Sequence, residues 1–155
     1  MEVDTLSAIT EQYFEDWFSK RKLRGLSYQK DILINKIPES LKNNLLPTVL
    51  AACPSSGKTL LSISYLDFFL KQNPSAKVLV LTHGTTVLRS QYHEEVIKSN
   101  PDFSYEEIEI GNQLAKSKTQ VIITLPQTLH RLKKLPKFDL LVVDEAHEFY
   151  FAEMI

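Results

Sequence analysis

One segment combines small residues with a lysine and a threonine at a spacing suited to phosphate chemistry. Residues 52–59 read Ala-Cys-Pro-Ser-Ser-Gly-Lys-Thr, between a short apolar run and a helical pattern. This spacing is that of a G-x-x-x-x-G-K-[ST] loop, except that Ala52 stands at the first glycine. In such a loop, backbone N–H groups surround phosphate oxygens at the positive end of the following helix. Lys58 is expected to reach the β- and γ-phosphates, and the Thr59 hydroxyl to bind Mg²⁺. The predicted phosphate-binding residues are Pro54, Ser55, Ser56, Gly57, Lys58 and Thr59.

Two carboxylates follow a second apolar run, near the end of the sequence. Residues 138–143 read Phe-Asp-Leu-Leu-Val-Val, and Asp144, Glu145, Ala146 and His147 follow. Ligands of open α/β sheets bind at the carboxyl ends of strands, which is where these side chains would stand. Asp144 is expected to hold Mg²⁺, and Glu145 to orient and deprotonate the water that attacks the γ-phosphorus. The sequence thus predicts ATP and Mg²⁺ as ligands. The predicted catalytic residues are Lys58, Asp144, Glu145 and His147.

Apolar periodicity predicts the elements that position these groups. An amphipathic helix is expected from Leu6 to Gly25, and a second helical stretch from Ser27 that stops near Pro38. The predicted strands span residues 48–52, 77–82, 106–110, 120–125 and 138–143, and the predicted helices span 58–71, 85–98 and 126–133. Short apolar runs that alternate with helices indicate an α/β fold with a mostly parallel sheet covered on both faces.

Composition limits the classes of protein to consider. The chain has 155 residues and is 43% hydrophobic, which suits one compact domain. With 18 basic and 19 acidic residues the net charge is -1, so any nucleic-acid contact must come from a local patch. Cys53 is the single cysteine, which favours a reducing compartment. No apolar run has the length of a membrane span, so we expect a cytoplasmic or other intracellular protein without membrane contact.

Together the two motifs resemble the first RecA-like domain of superfamily 2 helicases and translocases. Residues 144–147 spell the DEAH form of motif II, and Ala52 matches the first alanine of the family's motif I, A-x-x-G-x-G-K-T. Ser55 replaces a glycine of that motif. The resemblance implies a three-layer RecA-like P-loop NTPase domain over residues 27–155, preceded by an N-terminal helical extension over residues 1–26.

A segment upstream of the loop resembles an adenine-recognition element. Residues 23–29, Leu-Arg-Gly-Leu-Ser-Tyr-Gln, are similar to the L-R-x-Y-Q element of restriction-subunit-like and repair-type members, in which the glutamine recognises adenine. The resemblance implies the same role for Gln29, and it favours DNA over RNA. The plainer alternative is a helix residue that faces solvent.

Two further segments resemble parts of the family that face nucleic acid. Residues 78–91 are similar to motif Ia, with His83-Gly84 in place of its usual proline, and residues 121–129 to the next such segment. Family loops at these strand ends touch the sugar–phosphate backbone of one strand. The implied nucleic-acid contacts are Thr82, His83, Arg89 and Thr124. Alternatively, Arg89 lies on a solvated helix face and the threonines merely end strands.

The resemblance also implies a partner. The sequence ends at Ile155, before the family's Ser-Ala-Thr motif and its second RecA-like domain, whose arginines stabilise the transition state. We therefore expect a second RecA-like domain or the remainder of a parent protein as partner, and little or no activity from this chain alone.

Four functions remain open from the sequence. The leading hypothesis is the ATP-binding lobe of an ATP-dependent DNA helicase or translocase. An RNA helicase lobe, including a viral one, is the first alternative. A non-catalytic module is another, in which the N-terminal helix docks a partner through Tyr13, Phe14 and Trp17. A small-molecule kinase is the last, and the DEAH tetrapeptide and the Gln29 element argue against it.

Overall fold

The computed structural model describes residues 9–43, 55–82, 86–108, 118–131 and 136–146, without the side chains of residues 86–88. The chain divides into two compact units, Met1–Asn73 and Pro74–Ile155. In the described part of the first unit lie α1 (Glu11–Lys20), α2 (Ser27–Asp31), a π-helical turn (Ile32–Lys36), α3 (Ile37–Lys42) and α4 (Lys58–Gln72). In the described part of the second unit lie β1 (Val78–Leu81), α5 (Thr86–Ser99), β2 (Tyr105–Ile108), β3 (Val121–Thr124), α6 (Pro126–Leu129) and β4 (Leu140–Val143).

Helix α1 ends earlier than its apolar pattern predicts. The expected end was Gly25, whereas the helix stops at Lys20. Lys22 adopts a left-handed conformation with φ 55°, and the N–H of Leu23 bonds to the carbonyl of Phe18 at 2.9 Å. This is the Schellman arrangement, which terminates a helix by satisfying its last carbonyls. The prediction failed because glycine is the usual residue at the left-handed position, and here a lysine occupies it.

The apolar face of α1 packs within its own unit. Phe14 and Trp17 are 2% and 4% exposed. The indole N–H of Trp17 donates to the carboxylate of Asp67, on α4, over 2.7 Å. Arg21 donates to the same oxygen at 3.0 Å, and its guanidinium carbon lies 4.0 Å from the centroid of the Trp17 ring. Phe14 and Trp17 are therefore not presented to a partner, which removes the main anchors of the interaction-module hypothesis. The boundary expected after residue 26 stays a prediction.

The second helical stretch continues past Pro38, contrary to the prediction that it stops there. Proline has no N–H, and its ring crowds the carbonyl of the preceding turn. The helix accommodates this with the π turn, in which the N–H of Ile37 bonds to the carbonyl of Ile32, five residues back. Pro38 then falls in the first turn of α3, directly after the π turn.

The second unit contains a four-stranded sheet in which every described pair is parallel. The strand order is β2-β3-β1-β4, with Val78 opposite both Val121 and Leu140. The side chains of β1 and β3 are almost entirely buried, as in parallel sheets generally. The predicted α/β fold with a parallel sheet is confirmed, and the arrangement is that of a RecA-like domain. The predicted strand at residues 48–52 lies outside the described residues.

Helices cover this sheet. One apolar cluster joins three strands to α6 and consists of Leu79, Ile108 and Ile122 with Leu81, Leu129 and Phe138. Helix α5 contacts β3 and buries Tyr92 and Val96. Strand β4 is an edge of the described sheet, and its Leu141 is 55% exposed. Over the described residues, no helix is both long and apolar enough to cross a bilayer.

Removing the charge of Arg21 should destabilise the first unit. Arg21→Met keeps an aliphatic stem but leaves the buried Asp67 carboxylate with fewer donors, and a broken buried ion pair costs about 3 kcal/mol. Urea denaturation followed by circular dichroism should show this loss in the free energy of unfolding. The double variant Arg21→Met/Asp67→Asn should recover much of it, because no buried charge is then left unpaired. Lys36→Ala, at an exposed position, is the control. A single Arg21→Met variant as stable as the unmodified chain would contradict the prediction.

Candidate nucleotide-binding site

The predicted phosphate loop has a left-handed backbone at two positions. Ser55 has φ 59° and Gly57 has φ 82°. Glycine adopts such angles freely, whereas another L-residue pays roughly 1–2 kcal/mol. Both positions are glycines in the motif that the sequence resembles. Ser55 therefore keeps the backbone conformation of that motif although it is not glycine. Among these residues Ser55 is exposed and Ser56 half-buried, while Pro54 lies outside the described residues.

Helix α4 begins directly after this turn. Gly57 is its N-cap, and the carbonyl of Gly57 accepts from the N–H of Leu61 at 3.0 Å. The N–H groups of the first turn have no partner within a helix, and the helix dipole adds partial positive charge there. Lys58 and Thr59 stand in this turn, half-buried. The combination is suited to phosphate oxygens.

Gln29 holds the loop from the side of α2. Its side chain is buried, with only 2% of the residue exposed. The amide oxygen accepts from the N–H of Leu26 at 2.9 Å, and the amide nitrogen donates to the carbonyl of Gly57 at 3.3 Å. A Cβ on Gly57 would lie 2.7 Å from that nitrogen. Gln29 thus lies beside the loop and is not a solvent-facing residue, and its recognition of adenine stays a prediction.

Helix α2, which carries Gln29, is itself tied to α1. The ammonium of Lys30 donates to the carboxylates of Glu11 and Glu15, the second at 3.0 Å. These hydrogen bonds, with that of Glu11 the stronger cause, raise the pKa of Lys30. Both carboxylates are solvent-exposed, so the pairs contribute orientation more than stability.

Two hydroxyls near the loop have no hydrogen-bond partner among the described residues. The oxygens of Tyr28 and Ser56 are buried and make no hydrogen bond to any described residue. Tyr28 Oη lies 3.7 Å from the place that a Cβ on Gly57 would occupy. Sequence reasoning did not include Tyr28, although it stands directly before Gln29 in the element quoted above. Two hydroxyl donors that no described residue engages, beside a helix N-terminus, fit the phosphates of a nucleotide.

The carboxylate motif follows β4 in the second unit. The N–H of Asp144 donates to the carbonyl of Leu81, at the end of β1, over 2.9 Å. Glu145 has φ 52°, so the backbone turns sharply after the strand. Both side chains are half-buried, and both make further contacts within the protein. The carboxylates therefore stand at the carboxyl edge of the sheet, as predicted from their position after an apolar run. His147 lies outside the described residues.

The residues implied in nucleic-acid contact point inward where they are described. Thr82 and Thr124 are 0% exposed, and the Thr124 hydroxyl donates to the carbonyl of Ile108 at 3.0 Å. Arg89 is 4% exposed and its guanidinium pairs with Glu107. A solvated helix face is thus excluded for Arg89, and contact with a nucleic-acid strand would require this ion pair to open. His83 lies outside the described residues.

The two residues predicted to bind Mg²⁺ belong to different units. Thr59 belongs to the first unit and Asp144 to the second, and no group of three His, Cys, Asp or Glu side chains within the described ranges could enclose a metal. Magnesium in nucleotide sites is held by one or two protein groups together with phosphate oxygens. A hydroxyl and a carboxylate are the donor types that such a site uses.

Replacing Ser55 with glycine should stabilise the protein. Glycine removes the strain of φ 59°, although it also adds entropy to the unfolded chain, so the expected net gain is about 0.5–1 kcal/mol. Thermal denaturation should show a higher Tm for Ser55→Gly. Ser55→Ala is the matched control, because it removes the hydroxyl and keeps the Cβ. An equal gain in both variants would show that the backbone angle is not the cause.

The comparison with protein families agrees with this site. Residues 22–155 match the family model described as type III restriction enzyme, res subunit. Searches among curated proteins and among solved structures gave no match. The matched residues include both the loop at 55–59 and the carboxylates at 144–145. The chain therefore belongs to the type III restriction enzyme res subunit family, a family of helicase-like ATPases.

Proposed function

We propose that this chain is the ATP-binding lobe of a DEAH-type, ATP-dependent DNA helicase or translocase, which hydrolyses ATP to move on nucleic acid when joined to a second lobe. The observation that carries the proposal is the turn with left-handed Ser55 and Gly57, held by Gln29, that leads into the N-terminus of α4. Membership of a family of helicase-like ATPases supports the interpretation of this turn as a phosphate-binding loop.

The first unit supplies the phosphate-binding groups. Backbone N–H groups of residues 55–59 surround the phosphates, and the Lys58 ammonium neutralises charge on the β- and γ-phosphates. The Thr59 hydroxyl and Asp144 would hold Mg²⁺, which when bound bridges phosphate oxygens and offsets their charge. Gln29 uses one N–H and one lone pair in the described state, so an N–H and a lone pair remain for adenine.

The second unit supplies the group that acts on water. Glu145 orients the attacking water and takes its proton, and His147 completes the motif. Arginines of the second lobe, or of the remainder of a parent protein, would stabilise the charge of the transition state. The protein would work in the cytoplasm.

Mg·ATP titration by calorimetry tests the nucleotide site. We expect the unmodified chain to bind Mg·ATP, and Lys58→Ala to bind at least about tenfold more weakly, because a charge-assisted contact to phosphate contributes about 1.5–3 kcal/mol. Lys36→Ala removes a lysine at an exposed position and should bind as the unmodified chain does.

Two results of this titration would refute the proposal. One is that the unmodified chain binds no Mg·ATP. The other is that Lys58→Ala binds as tightly as the unmodified chain.

The preference for DNA is a separate part of the proposal. It rests on the resemblance of the Gln29 element. Thr82, His83, Arg89 and Thr124 are the proposed backbone contacts. Thr82, Arg89 and Thr124 are buried, so contact requires these strand ends and the Arg89–Glu107 pair to open. The runner-up is an RNA helicase lobe, since groups that touch the sugar–phosphate backbone do not by themselves select the sugar.

Fluorescence anisotropy with single-stranded DNA and RNA of one sequence separates these alternatives. In the presence of Mg·ATP, we expect tighter binding to the DNA strand. The affinity should fall as salt is raised, because contacts to phosphate release counterions. Equal or tighter binding to RNA would contradict the DNA assignment and favour the RNA helicase lobe.

A further inference from the structure

We propose that the hydroxyl of Tyr28 is a nucleotide ligand that donates a hydrogen bond to a phosphate oxygen held by the loop at residues 55–59. The inference rests on the proposed function, because it adds one residue to the same site. The resemblance assigned adenine recognition to Gln29 and no role to its neighbour.

The Tyr28 hydroxyl is a buried polar group that the described part of the protein leaves without a hydrogen bond. Tyr28 Oη is buried and bonds to no described residue. A buried hydroxyl without a partner has lost its hydrogen bonds to water and gained nothing in return. A phenylalanine would fill the same space without this penalty. A bound ligand that accepts a hydrogen bond from the hydroxyl would explain why this residue is tyrosine.

The Tyr28 hydroxyl lies beside the left-handed turn of the loop. Tyr28 Oη is 3.7 Å from the position of a Cβ on Gly57, and Gln29 Nε2 is 2.7 Å from it. Because Gly57 has no Cβ, the side chains of Gln29 and Tyr28 can both approach the backbone of the turn closely. Ser56 brings a second buried hydroxyl without a described partner to the same turn.

The groups around Tyr28 Oη indicate the chemical class of the ligand. Two hydroxyl donors, the first-turn N–H groups of α4 and the Lys58 ammonium are all groups that favour an anion. A phosphate oxygen accepts from several donors at once, whereas a base edge offers one acceptor at a time. The shared preference of these groups therefore favours phosphate over adenine or ribose as the acceptor for Tyr28.

Tyr28 stands on a helix that its neighbours hold in place. Gln29 bonds to both Leu26 and Gly57, and the next residue, Lys30, pairs with two carboxylates on α1. The backbone of α2 at Tyr28 is therefore held beside the loop. A donor placed in advance loses little entropy when the ligand binds.

The test compares Tyr28→Phe with the unmodified chain in two calorimetric titrations, one with Mg·ATP and one with magnesium tripolyphosphate. We expect Tyr28→Phe to weaken both by about tenfold, the effect of one hydrogen bond to a charged group. The ligand-free variant should keep the Tm of the unmodified chain or exceed it, because only an unpartnered hydroxyl is removed. Tyr65→Phe, on α4, is the matched control, and its affinities should not change.

Each other outcome overturns a different statement. Unchanged affinity in Tyr28→Phe, or a lower Tm without ligand, would show that the hydroxyl is not a nucleotide ligand. A loss with Mg·ATP but not with tripolyphosphate would place the contact on the nucleoside and overturn the phosphate assignment. If the unmodified chain binds neither ligand, the proposed function itself fails, and this inference with it.

Discussion

The left-handed turn at Gly57 is the constraint on which the candidate site depends. Its φ of 82° directs the backbone into α4, so that the first-turn N–H groups open onto the loop. A single side chain, Gln29, bonds to the carbonyl of this residue and to the N–H of Leu26. Since α2 is tied to α1 through Lys30, the geometry of the loop depends on residues far from it in sequence. Any substitution that displaces Gln29 would act on the loop as well.

The buried carboxylate of Asp67 fixes helix α4 at a second point, beyond its N-terminus. Asp67 lies on α4, and its carboxylate accepts hydrogen bonds from Trp17 and Arg21. Trp17 belongs to α1, and Arg21 is the residue that caps the C-terminus of α1. A buried ion pair contributes little net stability compared with a well-packed apolar contact, but a carboxylate that requires two donors accepts few alternative arrangements. The net gain in stability is therefore secondary, and orientation is the main effect. Helix α4 is held at its N-terminus by Gln29 and in its middle by α1.

The sequence predicted what depends on local pattern and missed what depends on distant partners. The four described strands and the start of α4 follow from buried apolar runs and from the glycine at position 57. The burial of Arg89 did not follow, because its partner Glu107 is on β2 and helical spacing alone cannot identify it. Tyr28 was missed for a related reason: its hydroxyl has no partner within the described ranges, and only coordinates reveal this. The helix past Pro38 was missed because a π turn has no sequence signature.

Binding and hydrolysis fall to different parts of the chain under the proposed function. The phosphate-binding groups precede Asn73 and the carboxylates follow Pro74, in separate compact units. The N–H of Asp144 donates a hydrogen bond to the carbonyl of Leu81, at the end of β1. In the described sheet, β1 is the single neighbour of β4. Under the proposed function, the conformation of the phosphate-binding loop depends mainly on α1, α2 and α4, whereas the placement of Asp144 and Glu145 depends on the sheet.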